Sequence, residues 1–189
     1  GTARVGSTLS AVRQFLLGSP TPNLAYTWEF STDEEEWSAV PSETGVSLAI
    51  GEPYRGKYLR VRITASNSAG DAVTFSKTTP LIKGIAPAST APPVLSGTVK
   101  VGQQLSATTG SWSGTPTPSS PYVYAWFACT RSGVATASPS SCSVIRNATS
   151  ANFTLTSAQI GKFIRVRVTA TTTAGSAQYY SAATSAVAP

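Results

Sequence analysis

Hydrophobic and polar positions along this chain alternate with a period of two in several short runs, the pattern of strands that bury one face. In residues 163–170, Ile164, Val166, Val168 and Ala170 alternate with Phe163, Arg165, Arg167 and Thr169. Residues 58–65 repeat the pattern, with Leu59, Val61, Ile63 and Ala65 expected inward. Tyr124, Trp126 and Ala128 likewise alternate with Ala125 and Phe127. Shorter strands are predicted near Leu9 and over residues 37–40, 46–50 and 72–77. Gly and Pro, 15 and 13 of them, punctuate these runs, so the pattern predicts many strands joined by tight turns and no long helices.

The pattern also repeats as sequence. Gly1-Thr-Ala-Arg-Val-Gly-Ser-Thr-Leu-Ser-Ala11 aligns with Gly97-Thr-Val-Lys-Val-Gly-Gln-Gln-Leu-Ser-Ala107, and Leu16-Leu-Gly-Ser-Pro-Thr-Pro22 with Trp112-Ser-Gly-Thr-Pro-Thr-Pro118, both at an offset of 96. Two inserted residues bring Tyr26-Thr-Trp28 onto Tyr124-Ala-Trp126 at offset 98. Seven more bring Gly56-Lys-Tyr-Leu-Arg-Val-Arg-Ile-Thr-Ala65 onto Gly161-Lys-Phe-Ile-Arg-Val-Arg-Val-Thr-Ala170 at offset 105, with Ala69-Gly70 onto Ala174-Gly175. Such a repeat means two copies of one folding unit. The expected boundaries are 1–84 for the first, a Pro/Ala/Ser/Thr-rich connector over 85–93, and 94–189 for the second. Residues 91–96 are read as a short first edge strand of the second copy, with no counterpart before Gly1, so the first copy is expected to lack that strand.

The Val-Gly-x-x-Leu opening, Gly-x-Trp-x-Gly-x-Pro in residues 110–116, Tyr-x-Trp, the Gly-Lys-(aromatic)-(aliphatic)-Arg-Val-Arg run and the following Ala-Gly resemble the tandem immunoglobulin-like repeats of secreted and surface proteins of actinobacteria. The resemblance spans both copies. It implies an all-β chain of two tandem immunoglobulin-like Greek-key β-sandwiches with about seven strands each. It also implies an extracellular spacer, adhesive or assembly segment, or accessory domains of a larger secreted enzyme, with no shared active site. The first copy departs from it at Leu16, where the second has Trp112, and in lacking cysteines. In this fold Trp28 and Trp126 are expected to fill the cores. Leu9 with Val61, and Leu105 with Val166, would pack where antibody domains place their disulfide. Tyr58 and Phe163 are read as packing residues.

Composition narrows the function. Charged residues make up 12% of the chain, about half the usual share. All eight acids and eight of the fourteen bases lie in residues 1–84, which are therefore neutral. Lys100, Arg131, Arg146, Lys162, Arg165 and Arg167 stand without any Asp or Glu in residues 85–189 and carry the whole net charge of +6. With no histidine anywhere and no carboxylate in the second copy, general-base and nucleophilic chemistry lack their parts, so no enzyme is expected. No cofactor or metal is expected either. No apolar run approaches the roughly eighteen residues of a membrane span, and no leader pattern opens the chain, which is read as a mature or excised segment.

The remaining candidates concern stability and binding. Cys129 and Cys142, too few for a zinc site, are expected to form a disulfide across the hairpin that carries the seven-residue insertion, which places the chain in an oxidising compartment. Asp33, Glu34, Glu35 and Glu36 are consecutive and lack the spacing of a calcium loop, so they read as an acidic hairpin tip suited to a basic partner. Arg60 and Arg62, and Arg165 and Arg167, share the outer sheet face of their copies and could grip a cell-wall polyanion. Nucleic acid is not expected, since the arginines lack interleaved exposed aromatics and a reading helix. Trp112, Tyr179 and Tyr180 are candidate exposed aromatics for a glycan. Other copies of the chain, or neighbouring immunoglobulin-like modules, are the expected partners, and the charge split favours contacts between copies. Asn147-Ala-Thr and Asn152-Phe-Thr match the glycosylation pattern.

Overall fold

The computed structural model describes residues 1–12, 18–132 and 141–189. It divides into two compact units, Gly1–Ile85 and Ala86–Pro189. Both are all-β, apart from single 3₁₀ turns at Glu52–Tyr54 and Ser157–Gln159.

The first unit contains β1 (Thr8–Ser10), β2 (Asn23–Ser31), β3 (Ser38–Ala39), β4 (Ser47–Ala49), β5 (Tyr58–Asn67) and β6 (Gly70–Phe75). One sheet has the order β3-β2-β5-β6, and β1 pairs with β4 in the other. After the β2–β3 hairpin the chain crosses to the second sheet for β4, then returns to lie beside β2 as β5. That crossover is the Greek-key feature of a sandwich. Between the sheets, Leu9, Trp28, Leu48, Leu59, Val61 and Ile63 form the buried core. The period-two alternation of β5 explains why: its odd positions from Leu59 to Ala65 are buried, and those between them are half-buried on the outer face.

The second unit contains β7 (Ile85–Ala91), β8 (Leu95–Ser96), β9 (Gln104–Ala107), β10 (Ser111–Thr115), β11 (Val123–Cys129), β12 (Cys142–Val144), β13 (Asn152–Thr154), β14 (Phe163–Thr172) and β15 (Gly175–Tyr180). The plan is the same, with β12-β11-β14-β15 facing β13-β9-β8 and an additional β7–β10 pair. Its core gathers Leu105, Trp126, Leu155, Ile164, Val166 and Val168.

The second sandwich departs from the sequence boundaries. Residues 85–93, expected as a connector, are mostly strand: β7 runs to Ala91, and the second unit begins at Ala86 rather than 94. The richness of this segment in Pro, Ala, Ser and Thr suggested a connector, yet such residues also fit a strand with a free side. Pro87 has no N–H to donate, but β7 belongs to a two-stranded ribbon and a strand with a free side tolerates such a residue. The edge strand expected over 91–96 is confined to Leu95–Ser96, paired with β9 at Ala107 and Ser106. Among the described residues, the β1–β4 sheet of the first unit has no third strand at the corresponding place.

Gly97, at φ +117°, shows why both repeats open on glycine. A Cβ there would run into the carbonyl oxygen of Gln104, and one at Gly1 would meet that of Thr8, the matching position. Only glycine lets the chain enter the strand so closely.

Candidate functional site

Each core tryptophan is held by a polar bond at its far end. Trp28 Nε1 donates to the Gly45 carbonyl at 2.9 Å, and Trp126 Nε1 to that of Ser150 at 2.8 Å. The rings fill the interior while the one donor each carries is satisfied, as a buried indole requires. Leu9, Val61, Leu105 and Val166 are buried around them. Tyr58 and Phe163 are half-buried and belong to neither core. Their register explains this: they precede Arg60 and Arg165 by two residues and share the outer face.

A feature the sequence reading missed closes each sandwich. After β6 the chain returns along β5 with hydroxyls at three-residue spacing: Ser76 Oγ accepts from Val61 N at 3.0 Å, and Thr79 Oγ1 from Leu59 N at 3.0 Å. The backbone reciprocates, with Ser76 N bonded to Val61 O, Thr79 N to Leu59 O and Ile82 N to Lys57 O. The second unit repeats the clamp. Ser181 Oγ accepts from Val166 N and Thr184 Oγ1 from Ile164 N, and Ser181 N, Thr184 N and Val187 N reach Val166 O, Ile164 O and Lys162 O. Three residues advance here for every two on β5 or β14, so side-chain oxygens take the donors that a regular ladder would have satisfied. The signal was present, because the offset of 105 continues to carry Ser76, Thr79 and Ile82 onto Ser181, Thr184 and Val187.

Cys129 and Cys142 stand opposite each other across β11 and β12 and are joined by a disulfide. Both are buried. In the first unit the matching positions are Ser31 and Trp37. Ser31 Oγ donates to Asp33 Oδ1 at 2.9 Å and accepts from Glu34 N, while Trp37 Nε1 donates to Glu34 O at 3.0 Å. Asp33 Oδ1 also accepts from Glu35 N and Glu36 N. These bonds hold the Asp33 carboxyl below its ordinary value, the amides of Glu35 and Glu36 contributing most and the Ser31 hydroxyl next. Asp33 therefore shapes the turn. Glu34, Glu35 and Glu36 project into solvent from it.

The arginine pairs sit on the outer faces but are less free than expected. Arg60 lies between the rings of Trp37 and Phe75, 4.0 and 4.3 Å from their centroids, and its Nε donates to Glu29 Oε2 at 2.7 Å. Arg62 Nε is 3.6 Å from Glu29 Oε1, within ion-pair reach but too long for a hydrogen bond. One carboxylate thus serves both, and Arg60 is not available to grip a polymer. In the second unit Arg165 is 4% exposed, with Nη1 and Nη2 donating to the Ser181 and Ser132 carbonyls at 3.3 and 3.1 Å. Burial corrects its reading as a solvent-facing residue. Its guanidinium is held by backbone carbonyls, and residues 85–189 offer it no Asp or Glu. Arg167 lies 5.6 Å from the Phe127 ring.

The aromatic triad does not form a platform. Trp112 is half-buried against the second core, with Nε1 donating to Thr109 O at 2.8 Å, which corrects its reading as exposed. It lies on β10, where Ser111 and Ser113 on either side are exposed while the indole packs against the core. Tyr180 meets Phe127 edge-on at 5.7 Å, and Tyr179 alone of the three is largely exposed, at 47%. Tyr124 hydroxyl ionisation is pushed up by burial, with Tyr122 adding to it. Asn147 and Asn152 are exposed. No helix among the described residues is long and apolar enough to cross a membrane.

No family model and no curated protein matches the sequence. Solved structures with a similar fold include the amphioxus IgVJ-C2 molecule, 12% identical, with a TM-score of 0.39 over 94% of this chain and 96% of that one. Immunoglobulin domains 1–5 of Sidekick-1 are 21% identical at a TM-score of 0.32, over 95% of this chain and 36% of that one. The FN1–FN3 domains of chicken CNTN1 are 19% identical at 0.29, over 86% and 57%.

Proposed function

We propose that this chain is a non-catalytic, extracellular structural segment of a bacterial surface protein, acting as a spacer or as a subunit of a surface filament or array. The observation that carries the reading is the duplicated frame. Both units spend their distinctive side chains on closure: the hydroxyl clamps at Ser76 and Thr79 and at Ser181 and Thr184, the tryptophan anchors, and the disulfide in place of the Ser31 and Trp37 turn contacts. A disulfide of this kind persists in an oxidising compartment, which supports the extracellular assignment. The absence of histidine from the whole sequence, and of carboxylates from its second half, removes the usual acid–base partners for a hydroxyl nucleophile.

The test is antibody labelling of intact, unpermeabilised cells of the source organism, alongside assay of the purified chain on ester, glycoside and peptide substrates. Surface labelling without turnover is the expected result. Antigen confined to the cytosol, or turnover that survives repurification, would overturn the reading.

A further inference from the structure

The two sandwiches handle one pair of arginines differently. In the first, Glu29 stands opposite Arg60 and neutralises Arg60 and Arg62 together. The same register position in the second holds Phe127, opposite Arg165, and residues 85–189 contain no Asp or Glu. Arg165 is almost wholly buried, and the Nε atoms of Arg165 and Arg167 lack an acceptor; Arg62 Nε in the first sandwich lacks one too, but it has the Glu29 carboxylate 3.6 Å away as counter-charge, and this pair has none. Two carbonyls supply dipoles to Arg165 but no counter-charge. Phe127, Tyr180 and the exposed Val144 flank the pair, and apolar surroundings strengthen attraction to an arriving anion.

The carboxylates this face lacks are all in the other half of the sequence. Glu34, Glu35 and Glu36 project from the turn after β2, and their side chains make no hydrogen bond or ion pair among the described residues. Asp33 fixes the turn that presents them.

We propose that the Arg165 and Arg167 face of the second sandwich accepts the Glu34–Glu36 turn of a second copy of this chain. The inference rests on the reading of the chain as an assembly segment, and it names the contact. Arg167, half-exposed, meets the incoming carboxylate, while buried Arg165 supplies an uncancelled charge beneath it. Donor and acceptor are different patches, so the contact is heterologous and copies add head to tail. Opposite charges on the two patches also steer the encounter.

Sedimentation velocity of the full chain tests this. The expected result is reversible association at about 0.05 M salt that disappears by about 1 M, where the screening length falls to ~3 Å. Changing Glu34, Glu35 and Glu36 together to Lys should abolish it. Arg167→Gln should weaken it about tenfold, equivalent to ~1.4 kcal/mol. Phe127→Glu installs the carboxylate that the first sandwich has at this position and should give a monomer with its fold intact, verified by an unchanged cooperative melt. An equimolar mixture of the triple Lys variant and Phe127→Glu has one working donor and one working acceptor, so it should form dimers and stop there. A wild-type chain that stays monomeric at low salt overturns the proposal, as does association indifferent to the triple Lys change or to both acceptor variants. These results leave surface labelling of intact cells unaffected. Cytosolic labelling would instead overturn the assembly reading, whatever the association state.

Discussion

Glu29 and Arg60 face each other directly across the β2–β5 ladder, and Arg60 Nε donates to Glu29 Oε2 at 2.7 Å. The carboxylate is more shielded than a surface acid, with its side chain 12% exposed. Glu29→Gln should lower stability by about 1–2 kcal/mol, more than an isolated exposed pair contributes and less than a fully buried one. A double-mutant cycle with Arg60→Met in urea denaturation should give a coupling of about 1 kcal/mol. Zero coupling would mean that the Trp37 and Phe75 rings alone hold the guanidinium.

The hydroxyl clamp predicts a difference between copies. Ser181 is buried and its Oγ is the acceptor for Val166 N, so Ser181→Ala leaves a buried amide unpaired and should cost about 1–3 kcal/mol. Ser76 does the same for Val61 but is exposed, and water can replace its oxygen. Ser76→Ala should therefore cost less than about 1 kcal/mol. Hydrogen exchange at Val166 and Val61 reads the two sites separately, and equal acceleration would refute the distinction.

Replacing Cys129 and Cys142 together with Ser should destabilise the second sandwich by about 3 kcal/mol, from the added chain entropy of its unfolded state. Reductant should lower the thermal midpoint of the wild type and leave the double variant unmoved. Thiol titration of denatured, unreduced protein should find no free thiol.

For Asp33 the sign follows from its depressed carboxyl. The folded form holds the proton less tightly than the ordinary 3.8, so its contribution is present above that pH and is lost as pH falls through the lower folded value. Asp33→Asn should therefore be less stable than wild type at neutral pH, with the difference closing in acid below the ordinary value. A gap that persists unchanged into strong acid would assign the effect to shape rather than to ionisation.

The all-β sandwich was legible in the order of residues alone. Period-two burial is local, so Leu59, Val61 and Ile63 declare an inward face without knowledge of what they meet. Repetition at fixed offsets placed Trp28 and Trp126 in equivalent surroundings, and two cysteines at the ends of an inserted hairpin marked their own pairing. Which side chains satisfy which backbone groups across long sequence gaps emerges only once the chain is folded. Ser181 and Thr184 look like ordinary linker residues until the chain returns along β14 and their hydroxyls meet its amides. Alternation put Arg60 and Arg165 on the same outer face with equal standing. Their fates diverged because the strand beside them offers Glu29 in one unit and Phe127 in the other, leaving Arg165 to bury itself against carbonyls. Alternation specifies the face a residue occupies; the neighbouring strand, brought alongside only by folding, sets its charge environment and its burial.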